Sequence, residues 1–389
     1  MVMRVSLNPE NQKSFSFTVS CKELEVALSR LSAVVSTTSV GVKNFFVVTS
    51  RGKVAVLAFN TDTYAYIELA EATSTSDGAF GFDPSHIQGL VKGRSSMEFT
   101  FTGSECEFKL VKGKYNGRFV VLPVSQDQAT TVNSALSAKD RGEDKVITRD
   151  VLDALKEGLA LTGIKDVYSD GSLLSYIDIT KGGQLTISCF DQHHLGFYQV
   201  KTGLKGEPIR IALPGSHFQL IDRLAGEEDA KFFIKSESIR VEGSNFVLIL
   251  PASQSDDKNF SIVTDYLASL DKPELLCVVH TGKLATLVDN LFTIYSANTS
   301  FDLAFREGAS SLAVTFTTNN GSGSDSLPVK VTSGKSIKAK VEPRLFKDAL
   351  SILHSQGEVQ LSIKTKKWIK FDLTTNSGAR STVVCSLAG

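Results

Sequence analysis

The chain repeats itself, and this constrains its fold more than any single motif. Three stretches superimpose, beginning "GAFGFDPSHIQGLVKG" at Gly78, "EPIRIALPGSHFQLIDRL" at Glu207 and "KSIKAKVEPRLFKDALSIL" at Lys335. Each reads as a short strand, a helix and three alternating strands. Pro84, Pro214 and Pro343 stand where the helices begin, the position at which a missing N–H costs little. Apolar residues then recur at helical spacing: Ile87, Leu90 and Val91; Phe218, Ile221 and Leu224; Leu345, Ala349, Ile352 and Leu353. A related pattern precedes each of these units. Its helices carry Leu24, Leu28, Leu31 and Val35; Leu152, Leu155 and Leu159 behind a Thr148 N-cap; and Leu284, Leu287, Val288 and Leu291.

Strand-helix-strands, twice per domain and three domains in tandem, predicts an α+β fold. The polar stretches "SAKDRGEDK" and "DYLASLDKPE" mark the boundaries. The expected domains are 14–138, 139–268 and 269–389, behind a flexible tail at 1–13. Asn319–Ser326, "NNGSGSDS", is expected to be a mobile loop.

At 389 residues the chain is too long for one ordinary core. Lys plus Arg and Asp plus Glu both number 42, so bulk charge predicts no partner, although a basic face balanced by acids elsewhere remains open. Cys21, Cys106, Cys189, Cys277 and Cys385 are scattered in apolar runs, as expected of buried free thiols in a reducing compartment. The sequence shows neither a signal-peptide core nor an apolar run of membrane-spanning length, and a cytoplasmic protein without membrane contact is expected.

The stretch "CFDQHHL", Cys189–Leu195, gathers groups that could carry chemistry. Adjacent side chains on a strand point to opposite faces, so His193 and His194 would not converge on one ion there. No second Cys/His cluster follows, and GxSxG, HExxH and GxxxxGK[ST] patterns are missing from the sequence. No metal, cofactor or catalytic residue is expected. A Cys/His hydrolase using Cys189, Asp191, His193 and His194 is the enzyme alternative, and a β-rich interaction scaffold without DNA is the other.

The order and register of the six units resemble the bacterial DNA sliding clamp, the beta subunit of the replicative DNA polymerase III. The clearest local matches are "CFDQHHLGFYQV", where that family has Thr-Asp-Gly-His-Arg-Leu, and "IALPGSHFQLIDRL". Gln192 and His194 depart from the family glycine and arginine, and the usual Met-Pro-Met-Arg-Leu ending reads "VCSLAG". The Arg-Phe-Pro segment is reduced to "DDKNFSIV", drift that resembles a phage-encoded or otherwise divergent member.

The resemblance implies a homodimeric ring around double-stranded DNA, helices inside and sheets outside, serving a replicative polymerase and opened by a clamp-loader ATPase. It places a partner-peptide groove on Leu174, Phe190, Gln192, His193, His194, Leu195, Phe260 and Val263, with Val383, Val384, Cys385, Ser386 and Leu387 opposite. The helix faces away from the sheets carry Lys22, Arg30, Lys92, Arg94, Arg149, Lys156, Arg223, Lys283, Arg344 and Lys347, candidates for phosphate contacts that read no sequence. Phe119 and Val121 are expected to meet Ile294 and Tyr295 of a second copy, head to tail.

Overall fold

The structure, a computed structural model, describes all residues except 1–6, 8–13, 37–43, 138–142, 163–173, 192, 205–206, 236–237, 253–256, 295–299, 319–320, 354–356 and 388–389. The first pass through the repeat is β1 (Phe15–Ser20), α1 (Cys21–Ser36), β2 (Asn44–Ser50), β3 (Lys53–Phe59) and β4 (Tyr64–Leu69). After the short β5 (Thr73–Ser74), the second is β6 (Gly78–Phe82), α2 (Pro84–Val91), β7 (Ser96–Phe101), β8 (Glu105–Leu110) and β9 (Asn116–Val120). Helix α3 (Gln126–Ser137) leads into β10 (Glu143–Ile147), α4 (Arg149–Thr162), β11 (Leu174–Ile179), β12 (Gln184–Phe190) and β13 (His194–Lys201). The fourth pass is β14 (Ile209–Pro214), α5 (Gly215–Ala225), β15 (Ala230–Ile234), β16 (Ser238–Glu242) and β17 (Phe246–Pro251). Helix α6 (Asp257–Ser269) precedes β18 (Leu275–His280), α7 (Thr281–Ile294), β19 (Phe301–Phe305), β20 (Ser311–Thr318), β21 (Gly321–Pro328) and β22 (Lys330–Gly334). The last pass is β23 (Ile337–Val341), α8 (Pro343–Leu353), β24 (Glu358–Lys364), β25 (Trp368–Thr374) and β26 (Arg380–Ser386).

The chain divides into two compact units, Met1–Arg149 with Gln219–Ser253 and Asp150–Phe218 with Gln254–Gly389. The first holds a five-stranded sheet, β5-β1-β7-β8-β9, and an eight-stranded sheet, β10-β15-β16-β17-β4-β3-β2-β6. The second holds a nine-stranded sheet, β14-β11-β12-β13-β26-β25-β24-β18-β22, and a four-stranded one, β21-β20-β19-β23. Strands of the middle third of the sequence therefore enter both units, where β17 pairs with β4 and β13 with β26. Strand β17, "FVLILP", is buried along almost its whole length, and joining it to β4 leaves no apolar edge open.

Periodicity explains the cores. Strand β1 alternates strictly, with Phe15, Phe17 and Val19 turned inward opposite Phe101, Phe99 and Met97 of β7. Phe17 stacks on Phe99 at 5.1 Å between ring centroids. Leu24, Leu28, Leu31 and Val35 are all buried on one stripe of α1. Asp83 caps α2 by accepting from the Ser85 N–H at 2.9 Å, and Pro84 fills the first helical position.

The structure corrects three local expectations. Gly321–Ser326, expected as a mobile loop, lies in β21, paired residue for residue with β20. Its Gly323 fits because the Phe316 ring covers it, and a Cβ there would come within 2.3 Å of that ring. The stretches around the domain boundaries are not mere connectors: α3 and α6 each cover a sheet. Leu7 departs from the flexible tail expected at 1–13, being 1% exposed and tied to Asn133.

Candidate functional site

Strands β12 and β13 are joined by a tight turn, and Asp191 organises it. The Asp191 N–H donates to the His194 carbonyl at 3.0 Å, and its Oδ1 accepts the N–H groups of His193 and His194, each at 2.6 Å. The His194 ring is held at both ends: Nδ1 donates to Asp191 Oδ2 at 3.3 Å and Nε2 to the Leu345 carbonyl of α8 at 3.1 Å. Both partners offer acceptor oxygens, so the ring is fixed between the turn and α8. Burial pushes the Asp191 carboxyl up, but the His194 side chain and the two backbone N–H groups outweigh it and hold it below its ordinary value. Within "CFDQHHL" the fold uses Asp191 and His194 together. The pair locks a turn, and no cluster of three or more candidate metal ligands occurs among the described residues. Cys189, on the preceding strand, is buried.

The turn forms one wall of a cavity of about 210 Å³. Phe190, Asp191, His193, His194 and Leu195 line it from the hairpin, Val384 and Ser386 from β26, and Ile262, Val263 and Tyr266 from α6. Pairing of Leu195 with Val384 sets the floor, and the buried cluster of Leu195, Phe197, Val263, Trp368 and Val384 supports it. Ser386 donates its N–H to the His193 carbonyl at 2.8 Å. Ile262 and Tyr266, one helical turn apart, are each 45% exposed at the rim. Such a groove, apolar with a few polar anchors, suits an extended peptide.

Of the groove residues expected from the sequence, Phe190, His193, His194, Leu195, Val263, Val384 and Ser386 line this cavity. Val383 and Cys385 do not: alternation along β26 buries them on the opposite face, where Cys385 Sγ lies 3.9 Å from the Leu345 carbonyl. Phe260 packs edge-on against Tyr176 instead, Leu174 pairs with Pro214 at the start of β11, and Leu387 is buried with its N–H on the Lys367 carbonyl. Gln192 lies outside the described residues. The sequence reading missed Asp191, Ile262 and Tyr266 as lining residues; for the last two the i, i+4 spacing within "NFSIVTDYL" was the available signal.

The basic candidates divide by what they touch. In the first unit Lys22 and Lys92 are exposed. Arg94 bends back onto the Leu90 carbonyl and sits 4.0 Å over the Tyr115 ring. Arg30 reaches the Leu224 carbonyl at 3.5 Å and Arg223 the Ser29 carbonyl. Arg149 pairs with Asp222 at 2.7 Å and donates to the Gly226 carbonyl, a tie within the fold. In the second unit Lys156 and Lys283 are exposed and Lys347 pairs with Asp289 at 2.7 Å. The Arg344 side chain lies outside the described residues.

At the expected dimer joint, β9 is the edge of its sheet and Phe119 is half-buried beside Phe108. Val121 is 3% exposed, whereas Val120 and Leu122 are 71% and 47% exposed and carry the open apolar surface. Tyr295 and the Ile294 side chain lie outside the described residues.

This arrangement of sheets and covering helices is that of the DNA sliding clamps, so the fold class is theirs. More specifically, it is the fold of DNA polymerase III beta subunits. The DNA polymerase sliding clamp of Bacillus subtilis superposes with a TM-score of 0.78 at 12% identity, over 97% of this chain and 100% of that one. The beta chain from Streptococcus pneumoniae gives 0.80 at 12%, over 96% and 100%. The beta subunit from Thermotoga maritima gives 0.77 at 13%, over 96% and 99%. No protein-family profile matches the sequence, nor does any curated protein.

Proposed function

We propose that this chain is a DNA polymerase processivity factor, a sliding clamp that closes around duplex DNA and tethers a replicative polymerase. The observation that carries the reading is the groove at the β13–β26 pairing, built from an open apolar helix face and a locked turn on a sliding-clamp fold. Three tandem domains per chain, as the six-pass repeat suggests, would close a ring from two copies. Strand β9 ends one sheet and β21 another, so a head-to-tail dimer can pair the first with the second and leave neither edge open. The partners are then double-stranded DNA, the polymerase and a clamp-loader ATPase, in a bacterial nucleoid or the cytoplasm of an infected host. Lysines such as Lys22, Lys92, Lys156 and Lys283 supply phosphate attraction without base readout. The hydrolase alternative finds little in the geometry, since the Asp191 carboxylate and both His194 nitrogens are committed to the turn and to α8.

The test is topological. With its loader and ATP, the protein should stay on a nicked circular plasmid through gel filtration and leave once the plasmid is cut to a linear form. Its solution mass should be that of two chains. Equal retention on linear and circular DNA, or a folded monomer at micromolar concentration, would overturn the reading.

A further inference from the structure

The turn that walls the groove in the second unit has a twin in the first. Between β3 and β4, the Asn60 N–H donates to the Thr63 carbonyl at 2.9 Å. Its Oδ1 accepts the N–H groups of Asp62 at 3.1 Å and Thr63 at 2.8 Å. "FNTDTY" thus repeats the backbone pattern of "FDQHHL". The register continues outward: Phe59 pairs with Tyr64 as Phe190 pairs with Leu195, and Tyr64 pairs with Ile249 of β17 as Leu195 pairs with Val384 of β26. Helix α3 supplies Val132 to the cluster holding Tyr64 and Ile249, as α6 supplies Val263 to its counterpart.

The occupants differ. In the first unit the same apolar cluster contains Leu7, 1% exposed and contributed from 126 positions before its polar partner. Asn133 on α3 reads both backbone groups of that residue. The Leu7 N–H donates to Asn133 Oδ1 at 2.8 Å, and Asn133 Nδ2 donates to the Leu7 carbonyl at 2.7 Å. An apolar side chain in a pocket, with its own N–H and C=O answered by a side-chain amide, is how an extended peptide is held.

We infer that the α3 joint is a second peptide-docking site, occupied in cis by the chain's own segment around Leu7. Displacing that segment opens the site to an extended peptide that presents leucine in the same way. The inference does not depend on the clamp reading. A tethered occupant competes at an effective concentration of about millimolar, so a free peptide is disfavoured until the segment is lost or pulled away.

A fluorescent peptide of residues 1–13 is the probe, read by anisotropy. A chain beginning at Ser14 should bind it at least about tenfold more tightly than the full chain does. Asn133→Ala in the shortened chain should weaken binding several-fold, and a Leu7→Asp peptide should not bind. Ile262→Asp with Tyr266→Asp, which alter the other groove, should leave the affinity of the shortened chain for this peptide unchanged. If the shortened chain does not fold, Leu7→Ser in the full chain decides, because it empties the pocket while keeping the chain intact; it too should bind the free peptide. A folded shortened or Leu7→Ser chain that ignores the peptide would overturn the inference, as would equal binding by the full chain. Binding lost with Tyr266→Asp but indifferent to Asn133→Ala would also overturn it.

Discussion

The two turns, Asn60–Thr63 and Asp191–His194, share a backbone and solve one problem with different side chains. Each must satisfy its own N–H groups and also tie the hairpin to a helix. An asparagine does both, since its Oδ1 accepts within the turn while Nδ2 donates to the Val34 carbonyl of α1 at 2.9 Å. A carboxylate has no donor to spare. In the second unit the donor is therefore His194, whose ring bridges Asp191 and the Leu345 carbonyl of α8. The Thr63 hydroxyl, at the matching position, donates to Asp62 at 3.1 Å. The comparison teaches that the hairpin geometry is set by the backbone pattern, while the side chains decide how firmly the wall is held. Beside the Asn60 turn the apolar joint is filled by Leu7; beside the Asp191 turn it is an open cavity.

The largest expected effect comes from removing the apolar rim of the open joint. Ile262→Asp together with Tyr266→Asp should cut affinity for the cognate polymerase at least about a hundredfold, since rim-and-pocket aromatics carry most of such binding energy. Both residues are about half exposed at the rim, so the melting temperature should move little. A pull-down that recovered polymerase as well as before would separate the cavity from the function proposed for it.

Next comes the cost of breaking each lock. His194→Ala leaves the Asp191 carboxylate without its side-chain partner and a buried carbonyl without its donor, and should destabilise the fold by about 3 kcal/mol. Thr63→Ala at the matching position removes one part-buried hydrogen bond and leaves no carbonyl of a distant helix without its donor, so it should cost about 1 kcal/mol. Denaturant midpoints of the two variants measure the gap, and equal losses would mean that His194 is not the tie described.

Acid should produce the smallest difference. The folded Asp191 carboxyl lies below its ordinary value, so its stabilisation is fully present above the unfolded value of about 4 and is lost as pH falls through the folded one. Asn60 does not titrate. Hydrogen exchange at the His193 and His194 amides, corrected for intrinsic rates, should therefore quicken on acidification below about pH 4, while that at Asp62 and Thr63 does not. Parallel behaviour of the two turns would contradict the assignment.

Much of the fold was legible because two periods, 2 and 3.6, are written plainly into the six passes. Leu24, Leu28, Leu31 and Val35 are buried as their spacing required. Helix α6 is masked in the sequence by its polar start, "DDKN", although Phe260, Val263 and Leu267 fall on one helical face. Strand β21 was hidden by its Gly and Ser content, since its pairing is carried by backbone and by a phenylalanine on its neighbour. The groove was legible in part. Local alternation locates Leu195 and Val384, but His194 acquires its role from a carbonyl 151 positions away, which no local pattern reports. The twin turn also lay in view as "FNTDTY", yet only the hydrogen bonds reveal that Asn60 and Asp191 do the same work.

One crosslinking experiment tests the central comparison most directly. A benzophenone amino acid is placed at His193, on the open wall, and in a second protein at Asp62, its register equivalent. Each is irradiated with the cognate polymerase on primed circular DNA. The account expects the His193 position to crosslink to the polymerase, and the Asp62 position to yield chiefly a product within its own chain that maps to the segment around Leu7. Polymerase captured at Asp62 and not at His193, or at neither, would contradict it.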